Sequence, residues 1–132
     1  MKIHRILSVF PLGLLATSFF FDLGWLATGR AELGLVAWRL IFAGVIGSVL
    51  ASLTGIVELL RIPRGTRARA IGTWHGGGTL VVALLFAASW IVRRDVPGYP
   101  ETIAIAISGL GVLLTVITGW LGSEAANRLE EV

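Results

Sequence analysis

The chain has 132 residues, of which 55% are hydrophobic and 14% charged, and its mean hydropathy is +0.85. This composition excludes an ordinary soluble domain with a charged surface and predicts an integral membrane protein. The lack of cysteine excludes disulfides, thiolate metal sites and a cysteine nucleophile. The formal charge of +3 does not indicate a nucleic-acid partner, because the basic residues flank apolar runs, where they orient membrane helices.

The first apolar run covers residues 6–26 and follows the charged start MKIHR. Spanning a bilayer takes roughly 20 residues, and this run meets that length. It is longer than the apolar core of a signal peptide, and it contains an aspartate and no small-residue cleavage site. We therefore predict a retained helix over about residues 6–27.

Three further apolar runs predict helices over about residues 35–60, 70–92 and 102–122. Polar links separate them, and those around Pro63 and Gly65 and around Pro97 and Gly98 contain residues that interrupt helices. The predicted fold is all-α: one domain, residues 1–132, forming an up-down-up-down bundle of four membrane helices.

The basic residues predict the orientation of this bundle. The link over residues 61–69, called the basic turn below, carries four arginines that we take as topology-determining: Arg61, Arg64, Arg67 and Arg69. With Lys2, Arg5 and Arg128 they outnumber the basic residues on the opposite side, which are Arg30, Arg39, Arg93 and Arg94. Because basic residues concentrate in cytoplasmic segments, we expect both termini in the cytoplasm of a bacterium and a multi-pass protein of its inner membrane.

Stripes of small or hydroxyl residues predict how the helices pack. The fourth helix has such residues at spacings of four and three, and the first has a polar stripe of the same kind that includes Ser8, Ser18 and Asp22. The second helix has Gly47 and, four residues on, Ala51. Small residues allow the backbones of membrane helices to approach closely, so these stripes indicate the seams of a bundle rather than a pore or a transport path.

Asp22 and Arg39 lie at matching depths in the first two helices. An unpaired charge at this depth costs about 2 to 3 kcal/mol, so we predict a structural Asp22–Arg39 ion pair within the first helical hairpin. A proton or ion relay through Asp22 is the functional alternative. Such a relay would need further ionisable residues deeper in the membrane, and the middle of the apolar runs has none.

The two histidines, His4 and His75, start the first and third helices at a similar membrane level. Two imidazoles from different helices are the minimum set for a haem b with two axial histidines, so both are candidate haem ligands. A metal site and a purely structural role are the alternatives. The chain has no GxxxxGK[ST] phosphate loop and no GxSxG elbow, so no motif supports an enzyme.

The chain resembles, over nearly its whole length, the bacterial membrane family called domain of unknown function 2231. The resemblance rests on His4, Phe10-Pro11-Leu12, Phe21-Asp22-Leu23, Ile62-Pro63-Arg64-Gly65-Thr66, His75-Gly76 and Gly119-Trp120-Leu121-Gly122. Some members are joined to iron–sulfur modules, which implies a redox neighbourhood. Of the family's His-Pro-x-His-Pro pattern, only His4 is present in this sequence. The family has no assigned activity.

Three function hypotheses follow. The first is a small non-catalytic membrane protein that is a subunit of, or accessory to, a larger membrane complex, with the lipid bilayer and other membrane subunits or copies of itself as partners. The second is a b-type haem or quinone-linked electron carrier that uses His4 and His75. A small transporter or channel is a third, weaker hypothesis.

Overall fold

The structure is a computed structural model that describes the backbone of residues 2–130 and the side chains of residues 6–120, 123, 124 and 127. Four helices follow one another: α1 (Lys2–Thr28), α2 (Ala31–Arg61), α3 (Arg67–Val92) and α4 (Thr102–Glu130). All regular structure in the described residues is α-helical, which confirms the predicted fold class.

Two of the connections contain a glycine with a positive φ. Gly29 ends α1 with a φ of 70°, in the left-handed region that glycine adopts at helix ends. Gly65 has a φ of 78° and turns the chain between α2 and α3. Thr66 then caps α3, because its hydroxyl oxygen accepts the backbone N–H of Arg69 at 3.2 Å.

Each helix contains a segment that is long and apolar enough to cross a membrane. The four segments are Ile6–Thr28, Ala31–Arg61, Arg67–Val92 and Thr102–Trp120. Large apolar side chains are exposed along all four of them. The up-down-up-down order and the cytoplasmic position of the termini stay predictions.

The interior of the bundle contains residues of the predicted packing stripes. Its apolar centre consists of Leu15, Ile41, Val82 and Phe86, all of them buried. The small-residue stripes face this centre, and their buried members include Ser18, Ala51, Ala104, Ser108, Gly111 and Thr118. A methyl group on Gly111 would lie 2.6 Å from Cε2 of Phe86, so this glycine lets α4 approach the ring closely.

The bundle consists of two helical hairpins. In the first hairpin α1 packs mainly against α2, and in the second α3 packs mainly against α4, while contacts between the hairpins are sparser. At one end, Gly34 near the start of α2 meets the backbone of Gly98 in the link between α3 and α4. The groups that join the two hairpins therefore matter for the whole fold.

Candidate functional site: a buried ion pair between the two hairpins

Asp22 lies on the inner stripe of α1, four residues after Ser18 and seven after Leu15. All three side chains are buried, and that of Asp22 is completely inaccessible to solvent. A carboxylate at such a position needs a cation and hydrogen-bond donors, because burying an unpaired charge is costly.

Arg93 supplies that cation from the second hairpin. Its Nη1 donates to Oδ1 of Asp22 at 2.5 Å, and its Nη2 donates to Oδ2 at 2.8 Å. Both side chains have no exposed surface. The contact is thus a bidentate pair, the geometry in which a guanidinium binds a carboxylate most specifically.

Two serines and a carbonyl complete the network around the guanidinium. Ser89 lies one turn before Arg93, and its Oγ accepts from Nε at 3.2 Å and from Nη2 at 3.0 Å. Ser108 of α4 accepts from Nη2 at 3.1 Å. The hydroxyl of Ser89 donates to the carbonyl of Ala104 at 2.7 Å, so the remaining bond of 2.8 Å is donated by Ser108 to Ser89. The network therefore joins α1, α3 and α4.

This geometry corrects the predicted Asp22–Arg39 pair. Both oxygens of Asp22 are bound by Arg93, and Arg39 is exposed. The reason is which face of α2 points into the bundle: its buried residues include Ala37 and Ile41. Arg39 lies two residues from each of them, which places it on the opposite side of the helix. The prediction was right that Asp22 needs a partner and wrong about which arginine provides it.

Sequence reasoning missed Arg93 because it lies beside a link with two prolines and a glycine. A usable signal is nevertheless present. Val82, Phe86, Ser89 and Arg93 follow one another at spacings of four, three and four, which is one stripe of a helix. The structure buries all four, so the arginine continues the inner face of α3 beyond its last turn.

The arrangement can compensate charge and join helices. Among the buried residues that the structure describes, Asp22 and Arg93 are the charged ones. An arginine does not release its proton in proteins, so the carboxylate faces a permanent cation. These properties fit a structural clamp better than a step in a proton relay.

The predicted haem ligands are placed only in part. His75 is half-buried, and its Nδ1 lies 2.5 Å from the carbonyl oxygen of Thr118 in α4. Because a carbonyl only accepts, Nδ1 carries the proton in this contact. The side chain of His4 lies outside the described residues. The haem site therefore stays a prediction.

The four arginines of the basic turn have two different environments. Arg61, Arg64 and Arg67 are exposed, as expected for residues that hold a turn in water. Arg69 is half-buried, and its Nη1 donates at 3.0 Å to the carbonyl of Leu59 and at 3.0 Å to that of Ile62. Arg69 thus caps the last turn of α2, a role that the sequence analysis did not assign to it.

Comparison with known families agrees with this architecture. The sequence model of a family described as "Predicted membrane protein (DUF2231)" matches residues 1–130. The chain belongs to this family. Members of this family are expected to lie in membranes, and the four apolar helices here contact the lipid bilayer. No curated protein and no solved structure matches the chain.

Proposed function

We propose that the protein is a small non-catalytic membrane bundle that serves as a subunit of, or accessory to, a larger membrane complex. The interior network supports this proposal, because Asp22 and Arg93 bind each other and hold the hairpins together. A bundle whose interior charges serve its own fold acts on other molecules through its outer surface.

The observation that carries the proposal is a notch on the outward face of α1. Phe10, Gly13, Thr17 and Phe20 share this face, and the two phenylalanines are 76% and 70% exposed. Gly13 and Thr17 line an open depression of about 270 Å³ on this face, together with Val9, Phe10 and Leu14. Small residues at a spacing of four, framed by large apolar ones, form the kind of surface on which two membrane helices meet.

The polar group in the notch does not compete with such a contact. The hydroxyl of Thr17 donates to the carbonyl of Gly13 at 2.7 Å within the same helix. The floor of the notch can therefore be covered by an apolar helix without leaving a buried donor unsatisfied.

The mass of the particle extracted in mild detergent tests this proposal. We expect the protein mass of the extracted particle, without its detergent, to exceed the 14.1 kDa of one chain. We expect the Gly13→Leu variant to be extracted as a monomer. Ala106→Leu is the matched control, because Ala106 is exposed on α4 away from the notch. A wild-type protein that is monomeric as extracted would contradict the proposal.

The rival function, a b-type haem or quinone-linked electron carrier, has one supporting contact. The bond from Nδ1 of His75 to the Thr118 carbonyl fixes the ring, as partners of metal-bound histidines do. A visible spectrum of the purified protein separates the two functions. A Soret band that disappears in His75→Ala supports the carrier, and a colourless protein in a stable complex supports the subunit.

We also propose that the basic turn faces the cytoplasm of a bacterial cell. The native chain has no cysteine, so a single introduced one reports its own position. Pro63→Cys lies in the turn, and Val96→Cys lies in the link at the other end. We expect a membrane-impermeant maleimide added to intact cells with a permeabilised outer membrane to label the second and not the first. The reverse pattern would invert the orientation.

A further inference from the structure

The basic turn presents two exposed arginines on an anchored backbone. Arg69 binds carbonyls at the end of α2, and Thr66 caps the start of α3, so the backbone of the basic turn is anchored at both helix ends. Arg64 and Arg67 are exposed on it, and within the described part of the chain neither forms an ion pair. Two guanidiniums thus lie at the membrane surface and can bind an external anion.

An exposed apolar stripe begins at one of these arginines. Residues 67, 74, 77, 81 and 84 of α3 are separated by seven, three, four and three positions and are all exposed. This spacing places them on one face of the helix. Trp74, which is 74% exposed, lies about 10 Å along the helix from Arg67 at 1.5 Å per residue. A cation is therefore followed by an indole and then by aliphatic side chains.

Gly77 opens a groove in this stripe. A methyl group placed on it would meet nothing within 4 Å, so the backbone of α3 is uncovered there. Trp74 stands on one side along the stripe, and Val81 and Leu84, 46% and 60% exposed, stand on the other. The groove therefore lies beyond Trp74, ten residues along α3 from Arg67.

We propose that this surface is a binding site for an anionic phospholipid. Arg64 and Arg67 bind the phosphodiester and the anionic headgroup, because guanidiniums match phosphate oxygens in geometry and charge. Trp74 lies at the level of the glycerol, where indoles prefer to be. One acyl chain lies over Gly77 and against Val81. The apolar stripe selects a lipid over a free phosphate, which would use only the arginines.

Native mass spectrometry of the detergent-solubilised protein tests the site. The protein is titrated separately with phosphatidylglycerol and with phosphatidylcholine, and the apparent Kd of each is measured. We expect tighter binding of phosphatidylglycerol, and we expect Arg64→Gln with Arg67→Gln to weaken it about 25-fold, or about 1 kcal/mol for each arginine. Gly77→Leu fills the groove and should weaken both lipids.

Matched controls separate the site from general effects of charge and bulk. Arg30→Gln with Arg94→Gln removes the same charge from exposed arginines at the other end of the helices, and Gly76→Leu adds the same bulk at a neighbouring glycine that is also open. We expect both controls to bind phosphatidylglycerol as the wild type does. Helicity by circular dichroism confirms that each variant is folded.

Three results would overturn the proposal. The first is an unchanged Kd for phosphatidylglycerol in the double arginine variant. The second is equally effective competition by soluble glycerophosphoglycerol, which would indicate a phosphate site without an acyl chain. The third is a protein that stays bound to the wild type and is released by Gly77→Leu while lipid binding is unchanged, which would indicate a helix contact instead.

Discussion

Arg93 at one end of the bundle has no exposed surface, whereas Arg64 and Arg67 at the other end are exposed. All three lie within three residues of an end of α3. What separates them is the face of the helix. Arg93 continues the inner stripe through Phe86 and Ser89, while Arg67 starts the outward stripe through Trp74. The position of an arginine relative to the core stripe decides its role more than its distance from the helix end.

The two environments require different partners. A buried guanidinium needs a carboxylate and further acceptors, and Arg93 has Asp22, Ser89 and Ser108. An exposed guanidinium is satisfied by water or by phosphate groups. Substitutions at the two ends should therefore differ widely in their effect on stability.

The largest effect is expected from breaking the buried pair. Asp22→Asn or Arg93→Gln leaves the other charge buried without its partner, which should reduce the free energy of unfolding by about 3–5 kcal/mol. Arg94→Gln is the control, because Arg94 is the next residue and its side chain is 66% exposed. It should change stability by less than about 0.5 kcal/mol. Unfolding in mixed detergent micelles, followed by circular dichroism, measures both.

A smaller loss should follow from adding one methyl group inside the bundle. Gly111→Ala would bring a carbon against the buried ring of Phe86, and overpacking of this kind costs about 1–3 kcal/mol. Gly119→Ala, eight residues later on α4, would meet nothing within 4 Å. It should be neutral or stabilising by up to about 1 kcal/mol, because alanine favours helix. Equal losses at both glycines would show that Gly111 does not face the core.

The smallest measurable loss is expected at the basic turn. Arg69→Gln removes two bonds from a charged donor to the carbonyls at the end of α2, and we expect a cost of about 1–2 kcal/mol. Arg67→Gln, at an exposed residue of the same turn, should cost less than about 0.5 kcal/mol. The same unfolding titration compares the two variants, and a larger loss at Arg67 would refute the assigned roles.

Most of the fold could be predicted from the sequence, because four apolar runs separated by helix breakers allow few alternatives. The ends of the helices were harder to predict. Hydropathy marks only the part of a helix that fits the membrane, whereas α4 continues to Glu130 through a polar segment. The inner stripes were predictable because small residues and hydroxyls recur at spacings of three and four.

For the ion pair, the need for a cationic partner was predictable, but the identity of that partner was not. The depth of Asp22 in an apolar run already implies a cationic partner. The choice of Arg39 used depth within the first hairpin and ignored the face of α2, on which Arg39 points away from Ala37 and Ile41. The role of Arg69 also depended on a contact between two helices, which the local sequence does not reveal.

Asp22 and Arg93 should stabilise the bundle as a pair and not as two independent residues. A double-mutant cycle in detergent tests this, using Asp22→Asn, Arg93→Gln and the double variant. We predict that the double variant loses at least about 2 kcal/mol less stability than the sum of the two single losses, because the second substitution removes a charge that the first left unpaired. Single losses that add to within about 0.5 kcal/mol would contradict the account.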